Sequence, residues 1–272
     1  MTEVLCTERV SVRYGGVQAL TEVDLTVDAG QLVGLIGPNG AGKTTFIDAI
    51  AGFVPATGRV WLAGAEVSSL VPHHRARRGL ARTWQSADLF DDLTVRENLC
   101  VASGRPSLGF VVREVLTARE RARASVDREL ELFGLASLAD HSADQLTQGQ
   151  RKLVGVARAL AAQPALLCLD EPAAGLDTSE SQALGHHLHE IAGGGTAVLL
   201  VDHDMGLVLS VCDHVVVLDF GRVIARGTPD EIRRDPAVVE AYLGRAAEQA
   251  AAPSPSAAAP GAEPSGGETP WA

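Results

Sequence analysis

Lysine is almost missing from this 272-residue chain, aromatic residues make up only 4% of it, and no apolar run reaches the ~18–20 residues needed to cross a bilayer. The only two lysines are Lys43 and Lys152. With a formal net charge of −11 there is no broad basic face to displace counterions from phosphate, so no nucleic-acid partner is expected. The four cysteines, Cys6, Cys100, Cys168 and Cys212, form neither a C-x-x-C pair nor a metal-ligand spacing, and are expected to be reduced and mostly buried. No charged segment followed by an apolar stretch opens the chain. A cytoplasmic protein is therefore expected, with any membrane association made through a partner.

What is present is enough apolar material, 46% of the residues, to bury a sizeable core. Short β-like runs at 10–14, 18–27, 32–36 and 59–62 are separated by turns at Gly15-Gly16 and Ala29-Gly30. From 95 to 133 the pattern becomes Arg/Glu-rich, with Val111, Val115, Leu116, Leu130 and Leu132 at helical spacing, which predicts a mainly helical insert. Apolar runs at 166–169, 196–201 and 215–219, divided by helical stretches, read as buried parallel strands. The expectation is an α/β fold in one domain over 1–244, split by a helical insert at about 95–160. Residues 245–272 are rich in Ala, Pro, Ser and Gly and predict a disordered tail.

Gly37-Pro38-Asn39-Gly40-Ala41-Gly42-Lys43-Thr44, followed by Thr45, fits G-x-x-x-x-G-K-[ST] between an apolar run and a helix-compatible run. Its glycines let successive backbone N–H groups turn toward one anion, and the helix N-terminus adds partial positive charge. A nucleoside triphosphate is the ligand implied. Lys43 would reach the β and γ phosphates as a compact charge, and the Thr44 hydroxyl would ligate Mg²⁺. A second element, Leu166-Leu167-Cys168-Leu169-Asp170-Glu171-Pro172, is an apolar strand ending in two carboxylates. The strand delivers both to its carboxyl end, where ligands bind in such sheets, with Asp170 as the metal residue and Glu171 as the candidate base.

Between them lies Leu146-Thr147-Gln148-Gly149-Gln150, heading a helical pattern at 151–162. The order of Gln85, this pentapeptide, the LDEP segment, Ala174-Gly175-Leu176-Asp177 and His203 resembles an ABC transporter nucleotide-binding subunit over about 4–244. That resemblance implies a P-loop NTPase cassette with an N-terminal β subdomain and a helical signature subdomain. It also implies a dimer in which ATP and Mg²⁺ at one phosphate loop are completed by the opposing signature. By position, Tyr14 would stack on adenine, Gln85 would approach Mg²⁺ and the attacking water, and His203 would contact the γ phosphate. Thr147, Gln148, Gly149 and Gln150 would complete the opposite nucleotide, and Asp177 would reach across the dimer. The pentapeptide departs from the commonest LSGGQ: Thr147 keeps a hydroxyl, while Gln148 is bulkier than glycine. His186, His187 and His189 sit in a predicted helix and do not read as a metal site.

A narrower resemblance is to the ATP-binding subunits of branched-chain amino acid importers. It rests on Ala81-Arg82-Thr83-Trp84-Gln85, on Leu93-Thr94-Val95-Arg96-Glu97-Asn98-Leu99, on LDEPAAGL, and on a short C-terminal extension at about 228–244. It implies membrane permease subunits as partners, a second cassette that is identical or different, an indirect solute-binding protein, and residence at the cytoplasmic face of the membrane. The permease contact is expected on 86–110, with Phe90 and Leu93. Importers of urea or amides and lipid exporters share much of the pattern. A soluble ATPase acting on ribosomes or DNA ends fits less well, given one cassette, a short insert and no basic face.

Overall fold

The computed structural model describes residues 2–84, 89–103 and 124–242; Gln85, the whole of 104–123 in the insert and the 245–272 tail lie outside the described residues. Two sheets organise the chain. Strands β1 (Glu3–Tyr14), β2 (Val17–Asp28), β4 (Thr57–Leu62) and β5 (Ala65–Glu66) form an antiparallel sheet in the order β2-β1-β4-β5. Strands β3 (Leu32–Ile36), β6 (Leu80–Arg82), β7 (Leu166–Asp170), β8 (Ala197–Val201), β9 (His214–Asp219) and β10 (Arg222–Gly227) form the other. Its order is β10-β9-β3-β8-β7-β6, parallel throughout except for β10 against β9.

The central strands β3, β7 and β8 are buried at every position, which explains why they read as continuous apolar runs rather than alternating ones. Leu32 and Ile36 of β3 join the cluster that runs into the insert, whereas Val33 and Leu35 join the cluster under the antiparallel sheet. One short strand thus divides the two halves of the core. The insert contributes α3 (Val95–Ser103), a helical stretch at 124–132 and α4 (Gln148–Ala161). Leu99, Val126, Leu130, Val154 and Ala157 carry its buried face. The buried carboxamide of Asn98 accepts from the Phe90 N–H (2.9 Å) and donates to the Phe90 and Thr94 carbonyls (3.0 Å each), fixing the turn before α3.

The sequence places the first strand at 10–14, but β1 starts at Glu3. Alternation is broken at 7–10, where the register shifts and Arg9 adopts a φ of 48°, its N–H donating to Asp24 Oδ1 (2.6 Å). The buried Thr7 hydroxyl accepts from the Leu25 N–H (2.8 Å), so a polar residue faces inward without penalty. The cysteines also differ from expectation: Cys168 and Cys212 are buried, but Cys6 is only partly so and Cys100 is exposed on α3. Cys100 precedes the buried-to-exposed turn of an amphipathic helix whose inward positions are Val95, Asn98 and Leu99.

The helix after the phosphate loop, α1 (Lys43–Ala51), is tied to α2 (Pro72–Arg77) by one buried arginine. Arg75 donates to the Ala49 and Ile50 carbonyls (2.9 and 2.8 Å), to Leu70 (2.8 Å) and to Ser68 (2.8 Å). It satisfies the last carbonyls of α1 where the helix itself cannot. Arg75→Met removes these donors from buried acceptors and should lower the unfolding free energy by about 3 kcal/mol. Urea titration checks this, and a loss under about 1 kcal/mol would mean that water satisfies the carbonyls instead.

Candidate functional site

Because β3, β7 and β8 run parallel, the turns after their carboxyl ends emerge on one edge of the sheet. After β3 comes the 37–42 loop, after β7 Asp170 and Glu171, and after β8 Asp202 and His203. Gly37 has a φ of 152° and could not carry a side chain, since a Cβ would lie 2.1 Å from the Leu218 carbonyl oxygen of β9. The loop is thereby pressed against the sheet edge before it turns into α1. Lys43 folds back over it, its Nζ donating to the Gly37 (2.7 Å) and Pro38 (3.1 Å) carbonyls.

Asn39, Gly40, Ala41, Gly42, Lys43, Thr44 and Thr45 line a cavity of 470 Å³ together with Glu171, Val17, Gln18, Ala19 and Phe220. Tyr14 does not line it but pairs with Val17 across the β1–β2 turn, about half exposed. Phe220 escapes sequence inspection. It is brought there by the β9–β10 hairpin, whose Phe220 and Gly221 both have positive φ (43° and 73°), and Gly221 N–H donates to the Ala41 carbonyl (2.9 Å). The signal available was the Asp-Phe-Gly-Arg turn between two β-like runs.

Glu171 adopts a φ of 49°, a conformation that costs a non-glycine residue roughly 1 kcal/mol or more. Two bonds hold it: its N–H donates to Val201 O (2.7 Å), and Lys152 Nζ of α4 donates to its carbonyl (2.8 Å). Burial of Lys152 lowers its pKa, with the charges of Asp202 and Glu171 opposing. Glu171 lines the cavity, and its Oε2 lies 3.8 Å from His203 Nδ1. Asp202, fully buried, accepts from the Ala173 and Asp204 N–H groups (3.2 and 3.0 Å) and lies 3.6 Å from His203 Nδ1. The turns after β7 and β8 are thus stitched together.

Asp170 is 2% exposed; its Oδ2 lies 3.5 Å from Arg82 and its buried Oδ1 has no hydrogen-bond partner. A buried, unpaired carboxylate oxygen on Asp170 and the hydroxyl of Thr44 in the phosphate-loop cavity are the oxygen donors a hard divalent cation takes, so these residues fit Mg²⁺. Gln85, also expected there, lies outside the described residues.

The signature residues stand apart from this cavity. Thr147 caps α4 in a reciprocal box, its Oγ1 accepting from Gln150 N–H (3.2 Å) and Gln150 Oε1 accepting from Thr147 N–H (3.0 Å). A second box opens α5 (Thr178–Gly193), where Asp177 Oδ1 accepts from the Ser179 and Glu180 N–H groups (2.8 Å each). Those bonds, Glu180's first, hold the Asp177 carboxyl below the usual range. The two caps touch: a Cβ on Gly149 would lie 2.8 Å from Glu180 Oε1, and one on Gly175 3.6 Å from the Gln148 carboxamide. His186, His187 and His189 lie on α5, with His187 against the Phe133 ring.

Burial pushes the Asp170 carboxyl up to about 6, with Arg82 opposing and Glu171 adding to the rise. In the unfolded chain it titrates near ~3.9, so between those values the native state holds the extra proton and this residue's contribution to stability rises as pH falls. From pH 7 to 5 the unfolding free energy of the wild type should gain about 1 kcal/mol relative to Asp170→Asn. Paired urea titrations at the two pH values measure it, and a constant difference would exclude the raised carboxyl.

Residues 20–174 match the family described as ABC transporter, and residues 222–248 match the branched-chain amino acid ATP-binding cassette transporter C-terminal family. The chain is 40% identical over 245 residues to the high-affinity branched-chain amino acid transport ATP-binding protein BraF of Pseudomonas aeruginosa, covering 87% of this chain and 96% of that one. It is 37% identical over 251 residues to LivG of Escherichia coli, of the same description (89% and 98% covered). To the lipopolysaccharide export system ATP-binding protein LptB of Haemophilus influenzae it is 35% identical over 242 residues (89% and 97%). The crystal structure of the ADP conformation of MJ1267, an ATP-binding cassette of an ABC transporter, superposes with a TM-score of 0.79 at 32% identity, covering 90% of this chain and all of that one. With its sheet, its loop and its two carboxylates arranged as described, and with these matches across most of its length, the chain belongs to the ABC transporter family of ATP-binding cassettes.

Proposed function

We propose that this chain binds and hydrolyses ATP to power an importer of branched-chain amino acids, as one half of a nucleotide-sandwich dimer under membrane permease subunits. The observation that carries the chemistry is Glu171, held in a strained turn and lining the phosphate-loop cavity. The solute reading is supported by the similarity to BraF and LivG and by the match at 222–248. LptB is nearly as similar in sequence, so lipid export is the second reading, and the C-terminal match favours the first.

The loop N–H groups and Lys43 would hold the β and γ phosphates, and Tyr14 and Phe220 would offer rings to the base. Glu171 would take the proton of the attacking water, while His203, whose Nδ1 lies 3.6 Å from Asp202 and 3.8 Å from Glu171, would meet the γ phosphate. Mg²⁺, when bound by Thr44, Asp170 and Gln85, would neutralise phosphate charge. In-line attack needs positioning more than covalent help, and the turns after three parallel strands supply it. Thr147, Gln148, Gly149, Gln150 and Asp177 would face the nucleotide of an opposing subunit, which is supported by the exposure of Thr147, Gln148 and Asp177 and by the separation of all five from the chain's own cavity; Gly149 itself is buried.

Among the described residues no helix is long and apolar enough to cross a membrane. Attachment at the cytoplasmic face would come through permease subunits, with a solute-binding protein acting through them. An apolar groove of 520 Å³, lined by Phe53, Trp84, Ala159, Pro172, Glu171 and, from α3, Ala102, would take a permease segment. On the 86–110 surface Phe90 is half exposed, and Leu93 is partly buried; 86–88 and 104–110 lie outside the described residues. Residues 1–244 would act as one cassette, with 245–272 as a tail.

Glu171→Gln should retain ATP while turnover falls by roughly 10² to 10⁴, and near-wild-type hydrolysis would remove Glu171 as the base. The same variant, tagged and trapped with Mg-ATP in its native cell, should co-purify with two permease subunits and a second cassette. Lipid-exporting permeases, or ribosomal or DNA-repair partners, would overturn the importer reading. Phe90→Asp should reduce permease recovery and leave nucleotide affinity unchanged; undiminished recovery would move the contact elsewhere.

A further inference from the structure

Arg82, at the end of β6, lies between two carboxylates that belong to different elements. Its Nη1 pairs with Asp48 of α1, the helix that leaves the phosphate loop, and its Nη2 lies 3.5 Å from Asp170 Oδ2 at the end of β7. The side chain is 6% exposed. What excludes solvent is aromatic: the guanidinium carbon sits 4.0 Å from the Trp84 ring centroid and 5.5 Å from that of Phe53, and the two rings meet edge to face at 5.0 Å. All three side chains line the apolar groove. The backbone fastens the same segment to β7, since Thr83 N–H donates to Cys168 O (2.9 Å) and Thr83 Oγ1 accepts from Asp170 N–H (3.2 Å).

Two features separate this from an ordinary buried ion pair. Only one oxygen of Asp170 is engaged, and it is engaged by Arg82; the other is buried and unpartnered. A planar guanidinium can bridge two carboxylates through separate nitrogens while an aromatic ring stacks on its flat face, a geometry that a compact ammonium does not reproduce. Residues that hold a ligating group by its second oxygen set metal affinity without touching the metal.

We propose that Arg82 is a positioning residue that locks Asp170 to the phosphate-loop helix through Asp48 and leaves Oδ1 to the cation, with Trp84 and Phe53 as the cover that keeps it in place. Whatever fills the groove then acts on Asp170 through this stack. The proposal rests on the reading of Asp170 as the Mg²⁺ carboxylate.

Trp84 makes the stack visible. In a Trp61→Phe, Trp271→Phe background it is the sole tryptophan, and Mg-ADP should shift its emission where ADP with EDTA does not. Arg82→Met should abolish that shift and raise the Mg²⁺ concentration needed for half-maximal N-methylanthraniloyl-ADP binding by about 10-fold or more. Arg82→Lys should restore little of either, because charge without the planar fork does not bridge. If Arg82→Met fails to fold, Asp48→Asn cuts the other end of the clamp and should raise the Mg²⁺ midpoint in the same direction. Trp84 emission indifferent to Mg-ADP that binds normally, a shift that survives Arg82→Met, or a Mg²⁺ midpoint that falls would each overturn the proposal. Asp170→Asn separates the premise: an unchanged Mg²⁺ midpoint in that variant would overturn the metal assignment itself, while absence of any nucleotide binding by the parent protein would overturn the proposed function.

Discussion

β3 lies between β8 and β9 with all three strands pointing the same way, and the rest of the molecule depends on that shared direction. A parallel sheet gathers its carboxyl-end turns on one edge, so residues as far apart in sequence as 37, 170 and 203 meet without any local signal drawing them together. Antiparallel neighbours would have sent the phosphate loop and the carboxylates to opposite edges. Burial of β3 on both faces also makes it the partition between the two halves of the core, which leaves the loop after it little room to shift.

On that edge, order is maintained at some cost. Glu171 is kept in the left-handed region by a strand carbonyl and by Lys152, one of the chain's two lysines. The other, Lys43, spans the phosphate loop itself. A compact ammonium serves in both places, where a single donor must reach backbone carbonyls in a tight turn. Arginine is used where several acceptors or a flat surface must be matched, as at Arg75 and Arg82. In a chain with little lysine, this division follows from donor geometry.

The exposed caps at Thr147 and Asp177 lie side by side, apart from the phosphate-loop cavity. Each is a reciprocal box that ends a helix neatly, so the plain structural account and the proposed role in a dimer coexist at the same residues. Contact between Gly149 and Glu180 makes the two caps one surface.

The amino-acid sequence by itself determined the fold class, the strand-loop-helix around Lys43, the apolar strand carrying Asp170 and Glu171, and the family, because each of these is encoded in contiguous residues with a strong local pattern. The early part of β1 was hidden by a bulge that breaks alternation, and Phe220 by a hairpin whose approach to the cavity depends on β2. Arg82, Trp84, Phe53 and Lys152 carry no mark in the sequence as members of one site. They come together only when β6, α1, α4 and β7 pack, and the burial of Asp170, the bond from Lys152 to the Glu171 carbonyl and the stacking over Arg82 are products of that packing. Pairings between residues on separate elements, such as Arg82 and Asp170, are set by the shape and polarity of the folded interior, which no local pattern specifies.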